Sequence, residues 1–159
     1  MDYLWSPWRY RYIASEKKGD GCVFCDAIAA NDDAATLVVF RGEKNFIILN
    51  RYPYTSGHVM VVPYAHMAEL SSAPAETLSE MMRLAQRAQT ALEKTYHPEG
   101  YNIGMNLGRA AGAGIVGHFH LHVLPRWAGD ANFMTVVGET RVEPEELSTT
   151  YGRLRSAMA

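Results

Sequence analysis

The fold of this chain is decided by one stretch, Gly117-His118-Phe119-His120-Leu121-His122-Val123-Leu124-Pro125-Arg126, in which three histidines occupy alternate positions. Successive side chains of a β-strand point to opposite faces. A strand over residues 118–124 would therefore place His118, His120 and His122 on one face and apolar side chains on the other. Imidazole can act as a metal ligand, a nucleophile or a proton donor. The pattern predicts an apolar strand that carries a row of imidazoles, and an adventitious metal-binding tract would not need the apolar alternation.

A loop rich in small residues precedes the histidines. Residues 108–117 read Gly-Arg-Ala-Ala-Gly-Ala-Gly-Ile-Val-Gly. Such a loop can bring backbone N–H groups close to an anion, although tight turns also need glycine. Because the histidines follow at once, we interpret the loop as one wall of a phosphate pocket with a nucleophile at its edge.

The length and charge of the chain bound its class. It has 159 residues and a formal net charge of −2, which predicts a single domain over residues 1–159 and no general affinity for nucleic acid. No apolar run is long enough to cross a bilayer, and the first residues do not resemble a secretory signal. We therefore expect a cytoplasmic protein that binds neither nucleic acid nor a membrane.

The remaining periodicity predicts an α+β fold. Five strands are expected, over residues 36–40, 46–49, 58–63, 101–107 and 118–124. One long amphipathic helix is predicted over residues 74–97, and a short terminal helix within 143–159. Helices do not alternate regularly with strands, so an antiparallel sheet packed on one long helix is favoured over a doubly wound parallel sheet.

Cys22 and Cys25 are the only cysteines in the sequence. In a reducing compartment this spacing indicates metal or redox chemistry rather than a structural disulfide. Two thiolates form half of a tetrahedral zinc site, which histidines commonly complete. From residue types alone any two of the six histidines could do so. A thiol redox pair and two inert buried cysteines are the alternatives.

The same residues carry a family resemblance. Residues 118–124 resemble the signature of the histidine triad (HIT) family, His-φ-His-φ-His-φ-φ with φ apolar, at all seven positions. Looser likeness is found at residues 22–25 and 49–63, and residues 4–9 and 125–133 resemble a bacterial branch that phosphorolyses diadenosine tetraphosphate. The resemblance covers most of residues 4–138. It implies a HIT-like α+β fold, with about five antiparallel strands, one long helix and a short C-terminal helix, and it implies a homodimer.

The resemblance also implies a ligand set for the metal. His66 and His118 match the positions that complete zinc in family members with a Cys-X-X-Cys start. Cys22, Cys25, His66 and His118 would then hold a structural zinc ion that pins the N-terminal segment to the sheet.

Catalytic and substrate-binding roles follow from the resemblance in the same way. His120 matches the residue that attacks phosphorus to form a nucleotidyl-histidine, and His122 and His58 match histidines that contact phosphate or orient the site. His58 could instead be a turn-terminal histidine bonded to backbone. Asn50 matches a position that binds ribose hydroxyls and Asn106 an amide near the phosphates. Either asparagine could instead be an ordinary turn residue.

The chain departs from the commoner hydrolase pattern just before the triad. That pattern has Gly-Gln-Ser or Gly-Gln-Thr where this sequence has Ala113-Gly114-Ile115. Backbone N–H groups of Gly112, Ala113 and Gly114 are expected to replace the missing side-chain contacts and to leave room for inorganic phosphate. This predicts phosphorolysis of a dinucleoside polyphosphate, with diadenosine tetraphosphate giving ADP and ATP. The alternatives are a hydrolase of dinucleoside polyphosphates or nucleoside phosphoramidates, and a non-catalytic nucleotide-binding module.

Overall fold

The computed structural model describes residues 21–130 and 145–159, so the segments 4–9 and 131–133 of the resemblance lie outside the described residues. The helices are α1 (Val23–Ala29), α2 (Asp33–Thr36), α3 (Ala75–Tyr96) and α4 (Leu147–Met158), with short 3₁₀ turns at Leu70–Ser72 and Arg109–Ala111. The strands are β1 (Val38–Arg41), β2 (Asn45–Leu49), β3 (Val59–Pro63), β4 (Gly100–Gly104) and β5 (Leu121–Arg126). No described helix combines the length and the apolar character that a membrane span requires.

The five strands form one antiparallel sheet in the order β1-β2-β3-β5-β4. With the long helix α3 and the short helix α4, this confirms the predicted α+β architecture. His122 lies in an interior strand of the sheet, because it pairs with Met60 on β3 and with Gly104 on β4. The register therefore brings β3 and β4 alongside the histidine segment.

Each face of the sheet has its own apolar core, which explains why every residue of β2 and β3 is buried. One core joins alternate sheet residues such as Ile47, Val61 and Val123 to α3 and α4. The other joins the opposite set, including Phe46 and Met60, to α1. Burial on both faces requires a nearly continuous apolar run rather than alternation.

Helix α3 spans one of these faces and matches the predicted range of 74–97 closely. His97, in the left-handed conformation with φ of 48°, ends the helix.

The buried Glu80 of α3 contacts the β1–β2 hairpin, which the sequence did not predict. Its carboxylate accepts the backbone N–H groups of Glu43, Lys44 and Asn45, each at 2.7 Å, and the Asn45 side-chain amide at 2.8 Å. Burial raises the pKa of Glu80, but these hydrogen bonds outweigh it and hold the pKa below its ordinary value.

Several strand boundaries differ from the prediction, and three of the differences have a clear structural description. The first strand begins at Val38 because Thr36 ends α2 and Leu37 has φ of 67°. The fourth strand ends at Gly104 instead of residue 107. The triad strand begins only at Leu121, because the N–H of Phe119 donates to the Met67 carbonyl at 2.9 Å and leaves the strand ladder. The triad alternation nevertheless holds, since Phe119 packs in the α3 core while the histidines lie on the α1 side.

Candidate active site and metal centre

Two cysteines and two histidines lie close together at the start of α1. Their four ligand atoms, from Cys22, Cys25, His66 and His118, all lie within 4.8 Å of one another. The Cys22 Sγ to His118 Nδ1 distance is 3.2 Å, and Cys25 Sγ lies 3.5 Å from His66 Nδ1 and 3.8 Å from His118 Nδ1. Tetrahedral zinc with ordinary bond lengths separates sulfur and nitrogen ligands by about 3.6 Å. The cluster therefore fits zinc, and its four protein ligands would close the coordination sphere.

The ring of His118 is already oriented for a metal. Its Nε2 donates to the Pro63 carbonyl at 2.8 Å, which leaves the Nδ1 lone pair facing the two sulfurs. Hydrogen bonds of this kind fix the tautomer of metal-binding histidines. Burial lowers the pKa of His118 and raises the pKa of the Cys25 thiol. The imidazole is thus held neutral, as a metal ligand must be.

His120 is oriented by the backbone carbonyl of His118. Its Nδ1 donates to the His118 carbonyl at 2.9 Å, so Nε2 carries the free lone pair of the neutral ring. The side chain is 5% exposed, and burial lowers its pKa. A neutral imidazole with a directed lone pair is the form that can attack an electrophile.

A chain of hydrogen bonds sets the tautomer of His122. The backbone N–H of Tyr54 donates to His58 Nδ1 at 3.2 Å, so Nε2 of His58 carries a proton and faces His122 Nδ1 at 2.9 Å. His122 Nδ1 then accepts, which leaves an N–H donor at its Nε2. Burial, followed by repulsion from His120, lowers the pKa of His122 to about 4. The ring centroids of His120 and His122 are 4.8 Å apart, so two rings with opposite tautomers are direct neighbours.

The two predicted asparagines occupy different settings. Asn50 forms a side-chain turn, since its Oδ1 accepts the N–H of Tyr52 at 2.9 Å, and its Nδ2 lies 3.5 Å from His58 Nε2. Asn50 is therefore a turn residue whose side-chain amide also lies next to His58. Asn106 lies just after β4, and continuing the β4–β5 register would bring it level with His120.

Two of the three amides of the glycine-rich loop that were predicted to face phosphate form hydrogen bonds within the loop. The N–H of Gly112 donates to the Arg109 carbonyl at 2.9 Å, and that of Ala113 to the Gly108 carbonyl at 3.3 Å. Gly108 and Gly112 have φ of 79° and 83°, which explains the need for glycine. The N–H groups of Gly112 and Ala113 are therefore used within the loop. Gly114 is the predicted donor whose N–H takes part in neither of these two bonds.

Comparison with known proteins identifies the family. A family model described as the HIT domain matches residues 31–129. The chain belongs to the HIT family. Among its HIT relatives is a Mycobacterium tuberculosis protein named AP-4-A phosphorylase, 39% identical over 157 residues that cover 94% of this chain and 80% of that protein. An uncharacterized HIT-like protein of the same organism is 35% identical, covering 87% of this chain and 93% of that protein.

Solved HIT structures share the fold. A zinc-bound histidine triad family protein from Mycobacterium smegmatis superimposes with a TM-score of 0.71 at 33% identity, covering 87% of this chain and 94% of that chain. A hypothetical histidine triad nucleotide-binding protein from Sulfolobus tokodaii gives a TM-score of 0.70 at 27% identity, with coverages of 86% and 91%. The Cys₂His₂ cluster and the zinc-bound relative together confirm the predicted zinc cofactor.

Several residues of this HIT site were not predicted from the sequence. The Pro63 carbonyl and the Tyr54 N–H set histidine tautomers, and backbone groups leave no signal in residue types. Phe24, which lies between the two cysteines, packs against the rings of His118 and His120. Its position between the two cysteines was the sequence feature that could have indicated a place near the site.

Proposed function

We propose that this protein transfers a nucleotidyl group from a dinucleoside polyphosphate through a covalent intermediate on His120. The observation that supports the proposal is a pair of neighbouring imidazoles with opposite tautomers. Nε2 of His120 is unprotonated, and Nε2 of His122 carries a proton that it can donate. A binding module has no need of a nucleophile whose lone pair is directed in this way.

The first step forms a phosphorus–nitrogen bond. Nε2 of His120 attacks the phosphorus next to one nucleoside, and the bond from phosphorus to the bridging oxygen breaks. The electron pair leaves with the polyphosphate nucleotide, whose developing charge is stabilised by the His122 N–H. The positive charge on His120 is supported by its Nδ1–H bond to the His118 carbonyl.

In the second step an acceptor oxygen attacks the same phosphorus and the phosphorus–nitrogen bond breaks. We propose inorganic phosphate as the acceptor, so that diadenosine tetraphosphate yields ATP in the first step and ADP in the second. Two features support this choice: the short side chains of Ala113 and Gly114 before the triad, and the 39% identity to a protein named AP-4-A phosphorylase. Asn50 and Asn106 are proposed to bind ribose and phosphate.

Product analysis tests the reaction. Purified protein is incubated with diadenosine tetraphosphate and ³²P-labelled inorganic phosphate, and the nucleotides are separated. We expect label in ADP and an equal amount of unlabelled ATP. AMP without labelled ADP would reject phosphorolysis in favour of the hydrolase. Tight binding without turnover would reject the enzyme in favour of the binding module. His120→Ala should abolish turnover, whereas His97→Asn, which changes an exposed histidine at the end of α3, should retain it.

The zinc ion belongs to the proposal as a structural element. When bound by Cys22, Cys25, His66 and His118 it would supply a closed crosslink between α1 and the sheet, with no open coordination position. A cytoplasmic location is part of the same proposal, because zinc thiolates persist in a reducing compartment.

We also propose a homodimer and a single HIT domain over residues 1–159. Among the described strands β4 ends the sheet, since its partner there is β5. Ile103 on β4 and Leu107 beyond it are 44% and 38% exposed. Light scattering after gel filtration should give twice the chain mass, and Ile103→Lys should halve it. A wild-type protein that remains monomeric at high concentration would contradict the dimer.

A further inference from the structure

The two residues between the metal-binding cysteines have opposite environments. Val23 is 58% exposed, whereas Phe24 is 2% exposed and enters the core that α1 forms with the sheet. Helix α1 begins at Val23, so Cys22 and Cys25 hold the start of the helix that carries Phe24. The metal ligands and the buried ring therefore belong to one short, rigid segment.

Phe24 contacts both kinds of histidine. Its ring centroid lies 5.4 Å from that of His118, with the planes at 80°, and 5.0 Å from that of His120, with the planes at 60°. Edge-to-face contacts at these distances are favourable and have a preferred geometry. One side chain thus packs against a metal ligand and against the proposed nucleophile.

Among the described residues, the ring of His120 has one hydrogen bond and ring contacts with Phe24 and His122. The hydrogen bond to the His118 carbonyl is made at one atom and does not by itself set the plane of the ring. The His122 ring, at 4.8 Å and 74°, is itself a reacting partner. Phe24 supplies a contact that is backed by the packed core containing Phe46 and Met60 and does not take part in the chemistry.

We propose that Phe24 is a positioning residue that holds the imidazole of His120 in line for attack, and that the Cys-X-X-Cys segment fixes Phe24 against it. This role rests on the proposed function of His120 as nucleophile. Near-attack geometry is sensitive to small shifts, because a displacement of about 1 Å can cost about 100-fold in rate. A loosened ring should therefore slow formation of the nucleotidyl-histidine more than it weakens nucleotide binding.

The test is Phe24→Leu in the zinc-loaded protein, which keeps apolar volume and removes the ring. We expect the single-turnover rate of adduct formation to fall by about 10- to 100-fold, while the nucleotide dissociation constant and zinc content stay near wild type. Val23→Ala, in the same segment, should leave the rate unchanged. Ile47→Val, in the core on the opposite face of the sheet, should lower stability without that loss of rate. If Phe24→Leu does not fold, Phe24→Met replaces it.

A second readout does not depend on activity. The ¹⁵N spectrum of the imidazole at mildly alkaline pH reports which nitrogen of His120 carries the proton. A ring that tilts weakens the bond from its Nδ1–H to the His118 carbonyl. We therefore expect the Nδ1–H form alone in wild type and in Val23→Ala, and a mixture of both forms in Phe24→Leu. Absence of any adduct in wild type would reject the proposed function, while this spectrum still tests the positioning role. Unchanged spectra in Phe24→Leu, or an equal rate loss in Ile47→Val, would overturn the inference.

Discussion

The neutral state of His122 leads to a quantitative prediction about pH. Burial, then repulsion from His120, lowers the pKa of His122 from its ordinary value of 6.5 to about 4. This difference corresponds to about 3 kcal/mol of preference for the neutral ring in the folded protein. Between these two pH values the unfolded chain binds a proton that the folded protein does not. The free energy of unfolding should therefore decrease as the pH falls through this range.

The assay is urea unfolding at a series of pH values for wild type and His122→Gln. Wild type should lose up to about 3 kcal/mol more than His122→Gln between pH 6.5 and pH 4, because the variant no longer carries this group. His97→Asn removes an exposed histidine where asparagine tolerates the left-handed conformation, and it should follow the wild-type curve. Parallel curves for wild type and His122→Gln, or an NMR titration of His122 near 6.5, would refute the reasoning.

Three further changes test the scaffold. Glu80→Gln removes the negative charge that accepts four N–H groups and leaves at least one of these N–H groups without an acceptor. The free energy of unfolding, measured with urea, should therefore fall by about 3–5 kcal/mol. Exposed Glu76→Gln should cost less than about 1 kcal/mol. Gly57→Ala places a Cβ 2.7 Å from a leucine of α3 at φ of 83° and should cost about 2–4 kcal/mol, whereas Gly152→Ala has no such contact and should not destabilise. Cys25→Ser should weaken zinc affinity at least about 100-fold by chelator competition. Wild-type values in Glu80→Gln, Gly57→Ala or Cys25→Ser would contradict the assigned contacts.

The sequence was sufficient for the parts of the fold that depend on local pattern. The long helix follows from apolar periodicity and a proline and glycine beyond its end, and the sheet follows from β-branched runs. The start of β5 was not predictable, because it depends on the Met67 and Pro63 carbonyls, which reach the triad from a distant part of the chain. Helices α1 and α2 are too short for periodicity to reveal them.

In the candidate site, too, the sequence predicted which side chains come together but not the hydrogen bonds that the folded backbone makes to them. Residue types, spacing and the family resemblance selected the four side chains of the candidate metal centre and the histidines around His120, and the structure brings each group together. Which nitrogen of each ring carries a proton depends on backbone donors and acceptors such as Tyr54 N–H and the His118 carbonyl. The amides of Gly112 and Ala113 turn inward for the same reason, since hydrogen bonds within a loop are decided by its folded shape.

The central claim is that His120 becomes covalently bonded to a nucleotide during turnover. The most direct measurement is acid-free denaturation of the protein within one turnover of diadenosine tetraphosphate, followed by intact mass and peptide mapping. We expect one added adenylyl group per chain, located on His120 and lost when phosphate is supplied before quenching. Turnover at an undiminished rate in His120→Ala, or an adduct on any other residue, would contradict it.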